Sequence, residues 1–315
     1  MKVEVKQTNE LTELDIKQYC KCHEIVFERP SNTQSFLQFY KNTCLGFSYH
    51  ALLYDNDVIV GGYSLIPFVY EVLGEKKLFA YASALMIEKE YRRDFANLFG
   101  LVKAMLNTAK NNFSCIYIFP NDNADIVNKQ LIKAKRIGEL NTYILPYKLD
   151  AYKKSLRYLN PLTKLFSNLL LWGANLSDNK DIYEPQVIMN RDDFINNRLH
   201  WSNYSHYNDY NMSATWKVAK FEGIEAAFLI DIYPISKNNF KKAVRMMYEK
   251  EKQKVGIFLY VGLLPFKPCS MIKVPKKFEP KKFRFDVKIF DESLSQDIIL
   301  NPNNWDINLS SYDLL

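Results

Sequence analysis

The spacing of apolar positions divides the first part of the chain into helices followed by strands. Two helices with mixed apolar faces are predicted at 14–29 and 33–44. Four strands follow, joined in pairs by an acidic turn at 55–57 and by a glycine-containing turn at 74–77. These strands are predicted at 49–54, 58–68, 68–72 and 78–87.

Helices and strands then alternate. Residues 94–111 place apolar side chains three and four positions apart, which predicts an amphipathic helix. The continuous apolar run 113–119 predicts a strand that is buried on both faces and is ended by Pro120. A helix at 124–134 and a strand pair at 136–147 complete this half. The order of elements favours a mixed sheet with helices on both faces.

The second half repeats this order. Two strands at 214–220 and 224–233 form a predicted hairpin, a helix follows at 240–252, and an apolar strand at 255–264 is ended by Pro265. Because the order is the same in both halves, we predict two related modules side by side. The predicted class is α/β, in the α+β sense of mostly antiparallel mixed sheets with flanking helices.

A helix with one apolar face connects the two halves. Asn160 and Pro161 suit its first turn, and Gly173 ends it. The apolar positions are Leu162, Leu165, Phe166, Leu169 and Leu170, and the nearby basic residues are Lys153, Lys154, Arg157 and Lys164. Such a face at 161–172 suits docking between modules or contact with a membrane surface, and docking is the favoured use. The predicted segments are a first module at 1–147, a helical linker at 148–185 and a second module at 186–315.

Composition narrows the class of protein. Hydrophobic residues make up 48% of the chain and charged residues 24%, as in soluble folds, and 15% aromatic residues exclude a disordered chain, a collagen and a coiled coil. The net charge of +7 comes from 42 basic and 35 acidic residues. Most of the basic residues are lysine rather than arginine, and we therefore expect no nucleic-acid partner.

The five cysteines cannot all pair with one another. We interpret them as reduced thiols of a cytoplasmic protein. Cys20-Lys21-Cys22-His23 has no second Cys/His pair at metal-ligand spacing, so no metal site is predicted. Nothing approaches the roughly 18 consecutive apolar residues of a transmembrane helix, so no transmembrane segment is expected.

Five short stretches resemble, in their order, the GNAT superfamily of N-acetyltransferases, and most closely its bacterial members with two GNAT-like halves. They are Tyr49-His50-Ala51-Leu52-Leu53-Tyr54, Val60-Gly61-Gly62-Tyr63-Ser64-Leu65, Tyr81-Ala82-Ser83-Ala84-Leu85-Met86-Ile87, Glu90-Tyr91-Arg92-Arg93 and Phe119-Pro120-Asn121-Asp122-Asn123. In the second half, 198–201 and 304–309 resemble the partner half of the double proteins. The resemblance is best over 20–147.

The resemblance implies acetyl-CoA as the acyl donor. In the family, the third stretch is the strand that splays open for the donor, and the fourth leads into the pyrophosphate loop. A diphosphate needs several backbone N–H groups aimed at one point, with a helix N-terminus behind them. The donor-binding residues that the resemblance implies are Leu85, Met86, Ile87, Arg92, Arg93, Asp94, Phe95, Ala96 and Asn97.

The chain departs from the family's pyrophosphate loop, which reads Gln/Arg-x-x-Gly-x-Gly/Ala. Arg92 matches the first position, whereas Phe95 and Asn97 replace the two small residues. A side chain at such a position hinders close approach of the backbone to a phosphate. Asp94 also adds a negative charge beside the diphosphate.

The resemblance places the acceptor side at 121–124, which matches the family's Asn-x-x-Ala. The family tyrosine that protonates the departing thiolate falls here on Asn128, which cannot act as an acid. The candidate catalytic residues are therefore Asn121, Asp122 as general base, and Tyr143 as acid, with Tyr63 as an alternative. Formation of a turn or capping of the next helix is the other interpretation of Asp122.

Aromatic residues interleaved with asparagine and histidine at 201–210 suit stacking on a sugar or a base, and they equally suit a folded loop. The candidate acceptor-binding residues are Asn123, Trp201 and Tyr204. The resemblance implies an acyl-CoA-dependent N-acyltransferase that acts on an amine of a small metabolite or amino sugar. Two alternatives stay open. One is a catalytically degenerate GNAT-fold protein that binds a ligand or partner, and the other is a Fem-type aminoacyl transferase.

Overall fold

The computed structural model describes residues 1–151, 153–176, 185–194, 204–221, 223–279 and 281–311. The chain divides into two compact units. Unit 1 contains Met1–Gly138, Arg284–Asn301 and the described residues of Gln186–Arg198. Unit 2 contains the described residues of Glu139–Pro185, Leu199–Phe283 and Pro302–Leu315.

Strands and helices are numbered in chain order. The strands are β1 (Lys2–Gln7), β2 (Tyr49–Asp55), β3 (Val58–Val72), β4 (Glu75–Ile87), β5 (Cys115–Ile118), β6 (Lys135–Glu139), β7 (Asn141–Pro146), β8 (Val187–Met189), β9 (Ser205–Asn208), β10 (Ser213–Phe221), β11 (Ile224–Tyr233), β12 (Ile257–Gly262), β13 (Ile272–Lys273) and β14 (Arg284–Ile289). The helices are α1 (Glu13–Phe27), α2 (Thr33–Tyr40), α3 (Phe95–Asn112), α4 (Asp122–Val127), α5 (Asn160–Leu176), α6 (Arg191–Phe194), α7 (Lys237–Glu251) and α8 (Gln296–Ile299).

The sheet of unit 1 has the strand order β1-β2-β3-β4-β5-β14-β6, and β8 pairs with β3. β4 and β5 run parallel, and β14 is antiparallel to β5. β3 is one continuous strand of 15 residues, where the sequence predicted two. The chain has no turn residue at Phe68, and the buried pattern continues through it. The predicted helix at 124–134 is α4 followed by a π-helical turn, Asn128–Ile132.

The sheet of unit 2 has the strand order β13-β7-β12-β11-β10-β9. β11 and β12 run parallel, and β7 is antiparallel to β12. The hairpin β10–β11, the helix α7 and the strand β12 reproduce the order of β3–β4, α3 and β5 in unit 1. The predicted mixed α/β class and the repeat of two modules are therefore confirmed.

Each sheet contains a strand from the other half of the sequence. β7 lies beside β12 in unit 2, and β14 lies beside β5 in unit 1. The chain changes unit after residues 138, 185, 198, 283 and 301. The sequence predicted boundaries after 147 and 185, so the second coincides with a change of unit, whereas the first lies nine residues beyond one. The predicted linker helix α5 belongs to unit 2. Apolar alternation reveals a strand but not its partner, because strand pairing is set by contacts remote in sequence.

Each core lies between the sheet and a long helix. In unit 1, α3 packs its buried residues, such as Leu101 and Met105, against the sheet residues Ala80 and Ile116. In unit 2, α7 does the same, with Phe240, Val244 and Met247 among its fully buried residues. Both helices begin at side chains that accept backbone hydrogen bonds, Asp94 for α3 and Ser236 for α7.

Candidate functional site

β4 separates from β5 in unit 1. The parallel ladder joins Phe79–Tyr81 to Cys115–Tyr117, and β4 then continues to Ile87. In the same stretch the β3–β4 register shifts, because Gly62 pairs with Met86 and Ser64 pairs with Ser83. Two residues of β4 therefore stand opposite one of β3, which is a β-bulge.

The bulge is held by an unusual backbone conformation. Ala84 has a φ of 54°, in the left-handed region that non-glycine residues seldom adopt. Neither Ala84 nor Leu85 has a register partner on β3. Ser83, Ala84 and Leu85 are half-buried, whereas 79–82 and 86–87 are buried. The bulge is thus accessible although it lies between buried residues of the strand, and an N–H group there is suited to donate to a carbonyl oxygen.

The N-terminus of α3 is capped by an acidic side chain. Asp94 Oδ1 accepts a hydrogen bond from the Ala96 N–H at 2.9 Å, and the Asp94 carbonyl accepts one from the Asn97 N–H at 3.2 Å. A carboxylate at this position is stabilised by the positive end of the helix dipole. An incoming phosphate would meet a negative charge and would compete for the Ala96 N–H.

The two residues that replace the family's small residues point in opposite directions. Asn97 is buried, and its Nδ2 donates to the Tyr91 carbonyl at 3.0 Å. Phe95 is 60% exposed and stacks on Phe99, which is also exposed, with ring centroids 6.2 Å apart. Neither side chain is therefore aimed across the backbone N–H groups that open α3.

Two arginines, Arg92 and Arg93, directly precede the Asp94 cap of α3. Arg92 Nε donates to the Ile87 carbonyl at 2.6 Å, which ties the loop to the end of β4. Arg93 is exposed and has no acidic partner among the residues that the structure describes. The loop therefore offers one guanidinium that is free to meet an anion.

A buried thiol lies behind this loop. Burial, together with the negative charge of Glu88, raises the pKa of Cys22 to about 12. Burial and the neighbouring Glu90 raise the pKa of the Glu88 carboxyl. Cys22 is therefore a neutral thiol at physiological pH, which does not suit a nucleophile.

The residues predicted for the acceptor side open α4. Asn121 caps this helix, since its Oδ1 accepts from the Ala124 N–H at 2.9 Å. Asp122 is exposed and forms an ion pair with Arg284 of β14. Asn123 is exposed as well. Asn121, rather than Asp122, is thus the capping residue here.

Asn128 occupies the position of the family tyrosine. It is buried, and its Nδ2 donates to Asp286 Oδ2 at 3.3 Å. Arg136 Nε also donates to Asp286, at 2.6 Å, and the hydrogen bonds that Asp286 accepts raise the pKa of Arg136. This position therefore joins α4 to β14 and β6.

The remaining candidate residues lie elsewhere. Tyr143 is buried in the core of unit 2, and its pKa is raised by burial. Tyr204 is half-buried in unit 2, with Lys217 Nζ 5.6 Å from its ring centroid. Trp201 lies outside the described residues. Tyr63, the alternative acid, is buried in the core of unit 1.

Sequence reasoning missed a buried polar chain in unit 1. His50 lies between Thr8 Oγ1 and Ser64 Oγ, each 2.9 Å from a ring nitrogen. The chain continues through Tyr19 to Tyr40, with each oxygen–oxygen distance 3.0 Å. Complete burial lowers the pKa of His50 to about 3. The only sequence signal was a histidine in a buried strand.

Two further features of the described residues concern metal binding and membrane crossing. No group of three or more His, Cys, Asp or Glu side chains there is placed to hold a metal ion. No helix in that part of the chain is both long and apolar enough to cross a membrane.

Three solved structures share the fold. One is a conserved protein from Enterococcus faecalis V583 described as a probable N-acyltransferase, with a TM-score of 0.56, 11% identity and coverage of 92% of this chain and 73% of that one. A GCN5-related N-acetyltransferase from Anabaena variabilis ATCC 29413 has a TM-score of 0.53, 14% identity and coverage of 91% and 73%. A GCN5-related N-acetyltransferase from Kribbella flavida has a TM-score of 0.55, 11% identity and coverage of 92% and 72%. No family model and no curated protein matches the chain. The chain therefore has a GNAT-like fold, which confirms the resemblance at the level of fold.

Proposed function

We propose that this chain transfers an acyl group from acyl-CoA to an amine, and that unit 1 carries the reaction. The observation that supports this most is the half-buried bulge of β4 at the point where β4 leaves β5. A thioester carbonyl beside Ala84 and Leu85 would receive a backbone N–H, which stabilises the oxygen as it gains negative charge. The names of the three structural neighbours agree with this reaction class.

The loop at 92–97 is the proposed site for the donor's diphosphate. The exposed guanidinium of Arg93 offers a charge-assisted contact, and the exposed direction of Phe95 leaves the backbone accessible. Asp94 opposes this binding. A unit charge about 4 Å away contributes roughly 1 kcal/mol in water, so the cap weakens a diphosphate contact without abolishing it.

The acceptor remains a small amine in this proposal, and Asn123 of unit 1 remains its proposed contact. Tyr204 belongs to unit 2 and Trp201 lies outside the described residues, so their contacts with the acceptor stay sequence-based predictions. Asn121 and Asp122 remain the proposed catalytic groups of unit 1, although the Asn121 amide and the Asp122 carboxylate already hold structural partners. Tyr143 is buried in the core of unit 2 and takes no part in this proposal. The five free thiols suit the reducing cytoplasm, which we propose as the location.

Calorimetric titration with acetyl-CoA tests the donor. The native chain should bind it, and Arg92→Ala with Arg93→Ala should weaken binding and flatten its dependence on salt. The matched control removes two cations from the first turns of α7 with Lys237→Ala and Lys241→Ala, and it should leave binding unchanged. A flat titration of the native chain, or equal loss in both double variants, would contradict the proposal.

One observation favours a second function. The Asp94 carboxylate occupies the hydrogen bond that a diphosphate would need. In a GNAT-fold protein that binds a ligand or partner without acyl-CoA, such a cap would stabilise α3 and would weaken no diphosphate binding. A flat titration with acetyl-CoA for both the native chain and Asp94→Asn would favour this second function.

A further inference from the structure

Helix α5 packs into unit 2 through its small and polar side. Thr163, Ser167 and Ala174 are buried, together with Leu171. Ser167 Oγ donates to the Pro146 carbonyl of β7, which fixes the helix against the sheet. Because these residues recur three, four and seven positions apart, they lie on one face of the helix.

The opposite face of α5 is apolar and exposed. Its large side chains are between 43% and 63% exposed, and they are Leu162, Leu165, Phe166, Leu169 and Trp172. A surface helix normally directs such residues into the core and polar residues into solvent. Here the arrangement is reversed. A contiguous exposed face of this kind marks an interaction surface.

Positive charge accompanies this face. Lys153, Lys154 and Arg157 are exposed just before α5, and none of them has an acidic partner among the described residues. The segment 151–176 contains no aspartate or glutamate. Tyr158 (73% exposed) and Trp172 (63% exposed) lie at the two ends of the apolar stretch. Tyrosine and tryptophan are the residues that prefer the interface between lipid and water.

We propose that α5 lies in the surface of an anionic lipid bilayer, with Leu162, Leu165, Phe166, Leu169 and Trp172 inserted at the level of the headgroups. Clustered basic residues beside an apolar helix face are the features that bind such a surface. The charge beside the face is basic only, since 151–176 contains no aspartate or glutamate, and this one-sided charge matches an anionic lipid surface.

Vesicle co-sedimentation of the full chain tests this proposal. The native chain should sediment with phosphatidylcholine vesicles that contain about 30 mol% phosphatidylglycerol, and binding should fall at least tenfold at about 0.5 M salt. Leu165→Ser with Leu169→Ser should reduce binding at least tenfold. The matched control, Leu14→Ser with Ile25→Ser on α1, changes side chains that are 64% and 49% exposed and should bind like the native chain.

Tryptophan fluorescence gives a second measurement. Trp172 is exposed, whereas Trp216 and Trp305 are 1% exposed. Anionic vesicles should shift the emission of the native chain to shorter wavelength. Both measurements use a Trp201→Phe background, because Trp201 lies outside the described residues. In that background Trp172→Phe keeps the face apolar, so this variant should still sediment with vesicles but lose the shift.

Four results would overturn the proposal. The native chain could fail to sediment with anionic vesicles, Leu165→Ser with Leu169→Ser could bind as well as the native chain, or the fluorescence shift could persist undiminished in Trp172→Phe. The fourth is a dimer in equilibrium sedimentation that becomes a monomer in Leu165→Ser with Leu169→Ser, without any vesicle binding. That result would assign the face to a second copy of the chain.

Discussion

In each unit, one strand of a parallel pair has a bulge near its end, beyond the last residue that pairs with its parallel neighbour. The bulge is accessible in unit 1 and buried in unit 2. In unit 1, β4 has its bulge at Ala84, three residues before the strand ends. In unit 2, the register of β10 and β11 shifts at Ile230, also three residues before the end of β11. Ala84 is half-buried, whereas Ile230 and its neighbours Leu229 and Asp231 are buried.

The segment near the C-terminus makes the difference. In unit 2, the Leu263 N–H donates to the Ile307 carbonyl at 2.9 Å, and Gly262 bridges to Asn308. A Cβ at Gly262 would come within 2.8 Å of the Ile307 carbonyl, so only glycine allows this approach. Trp305, Ile307 and Leu309 are buried there. The shared order of hairpin, helix and strand therefore does not leave the two strand ends equally accessible, because different segments pack beyond them.

The largest expected effect is on the free energy of unfolding, when a buried side chain of the C-terminal segment is removed from unit 2. Trp305→Ala removes a side chain that is 1% exposed and should lower the free energy of unfolding by about 3–5 kcal/mol. Trp172→Ala, at 63% exposure, is the matched control and should change it by less than about 0.5 kcal/mol. Urea denaturation followed by circular dichroism measures both. Similar losses in the two variants would show that the C-terminal segment does not close unit 2.

The second largest expected effect is a loss of stability at acidic pH that comes from His50 of unit 1. The pKa of His50 is about 3 in the folded chain and 6.5 in a model peptide, so the unfolded state binds more protons between these values. Stability should therefore fall as pH decreases below 6.5, by about 1.4 kcal/mol per pH unit, or roughly 2 kcal/mol by pH 5. Denaturation at a series of pH values measures this slope.

Two variants assign the slope to unit 1. His50→Gln should remove most of it, whereas His206→Gln on β9 of unit 2 should keep it, since His206 is exposed. A slope that persists in His50→Gln would mean that other groups dominate acid unfolding.

The smallest expected effect concerns the cap of α3. Asn is as good a capping residue as Asp, so Asp94→Asn keeps the helix end and removes only the charge. Acetyl-CoA should bind about five- to tenfold more tightly, which corresponds to roughly 1 kcal/mol. Glu90→Gln removes an exposed charge that does not cap α3, and it should change the affinity less. Calorimetry compares the two. Equal effects would place the diphosphate away from α3.

Periodicity predicted the helices, the hairpins and the repeat because each depends on local spacing. The exchange of β7 and β14 between units could not be predicted, since the partners of both strands are remote in sequence. Spacing also placed an apolar face on α5 but could not tell which side packs. The structure turns Thr163 and Ser167 inward and leaves Leu165 exposed.

The sequence predicted where parts of the candidate site lie along the chain, but not the contacts that its side chains make. Order and motif located the end of β4 and the loop at 92–97, because both follow directly from chain position. Sequence reasoning noted the charge of Asp94 but not its hydrogen bond to the Ala96 N–H. It also grouped Tyr143 with Asn121, although the first belongs to unit 2 and the second to unit 1. The roles proposed for these residues remain predictions.

The most direct test of the account is hydrogen exchange with and without saturating acetyl-CoA, read separately for the two bulges. We expect slower exchange at 83–97 of unit 1, where β4 and the start of α3 would contact the donor. We expect no change at 229–238 of unit 2, where β11 is buried and is in contact with the segment near the C-terminus. Slower exchange at 229–238, or no change in either region, would contradict the claim that unit 1 alone holds an open acyl-donor site.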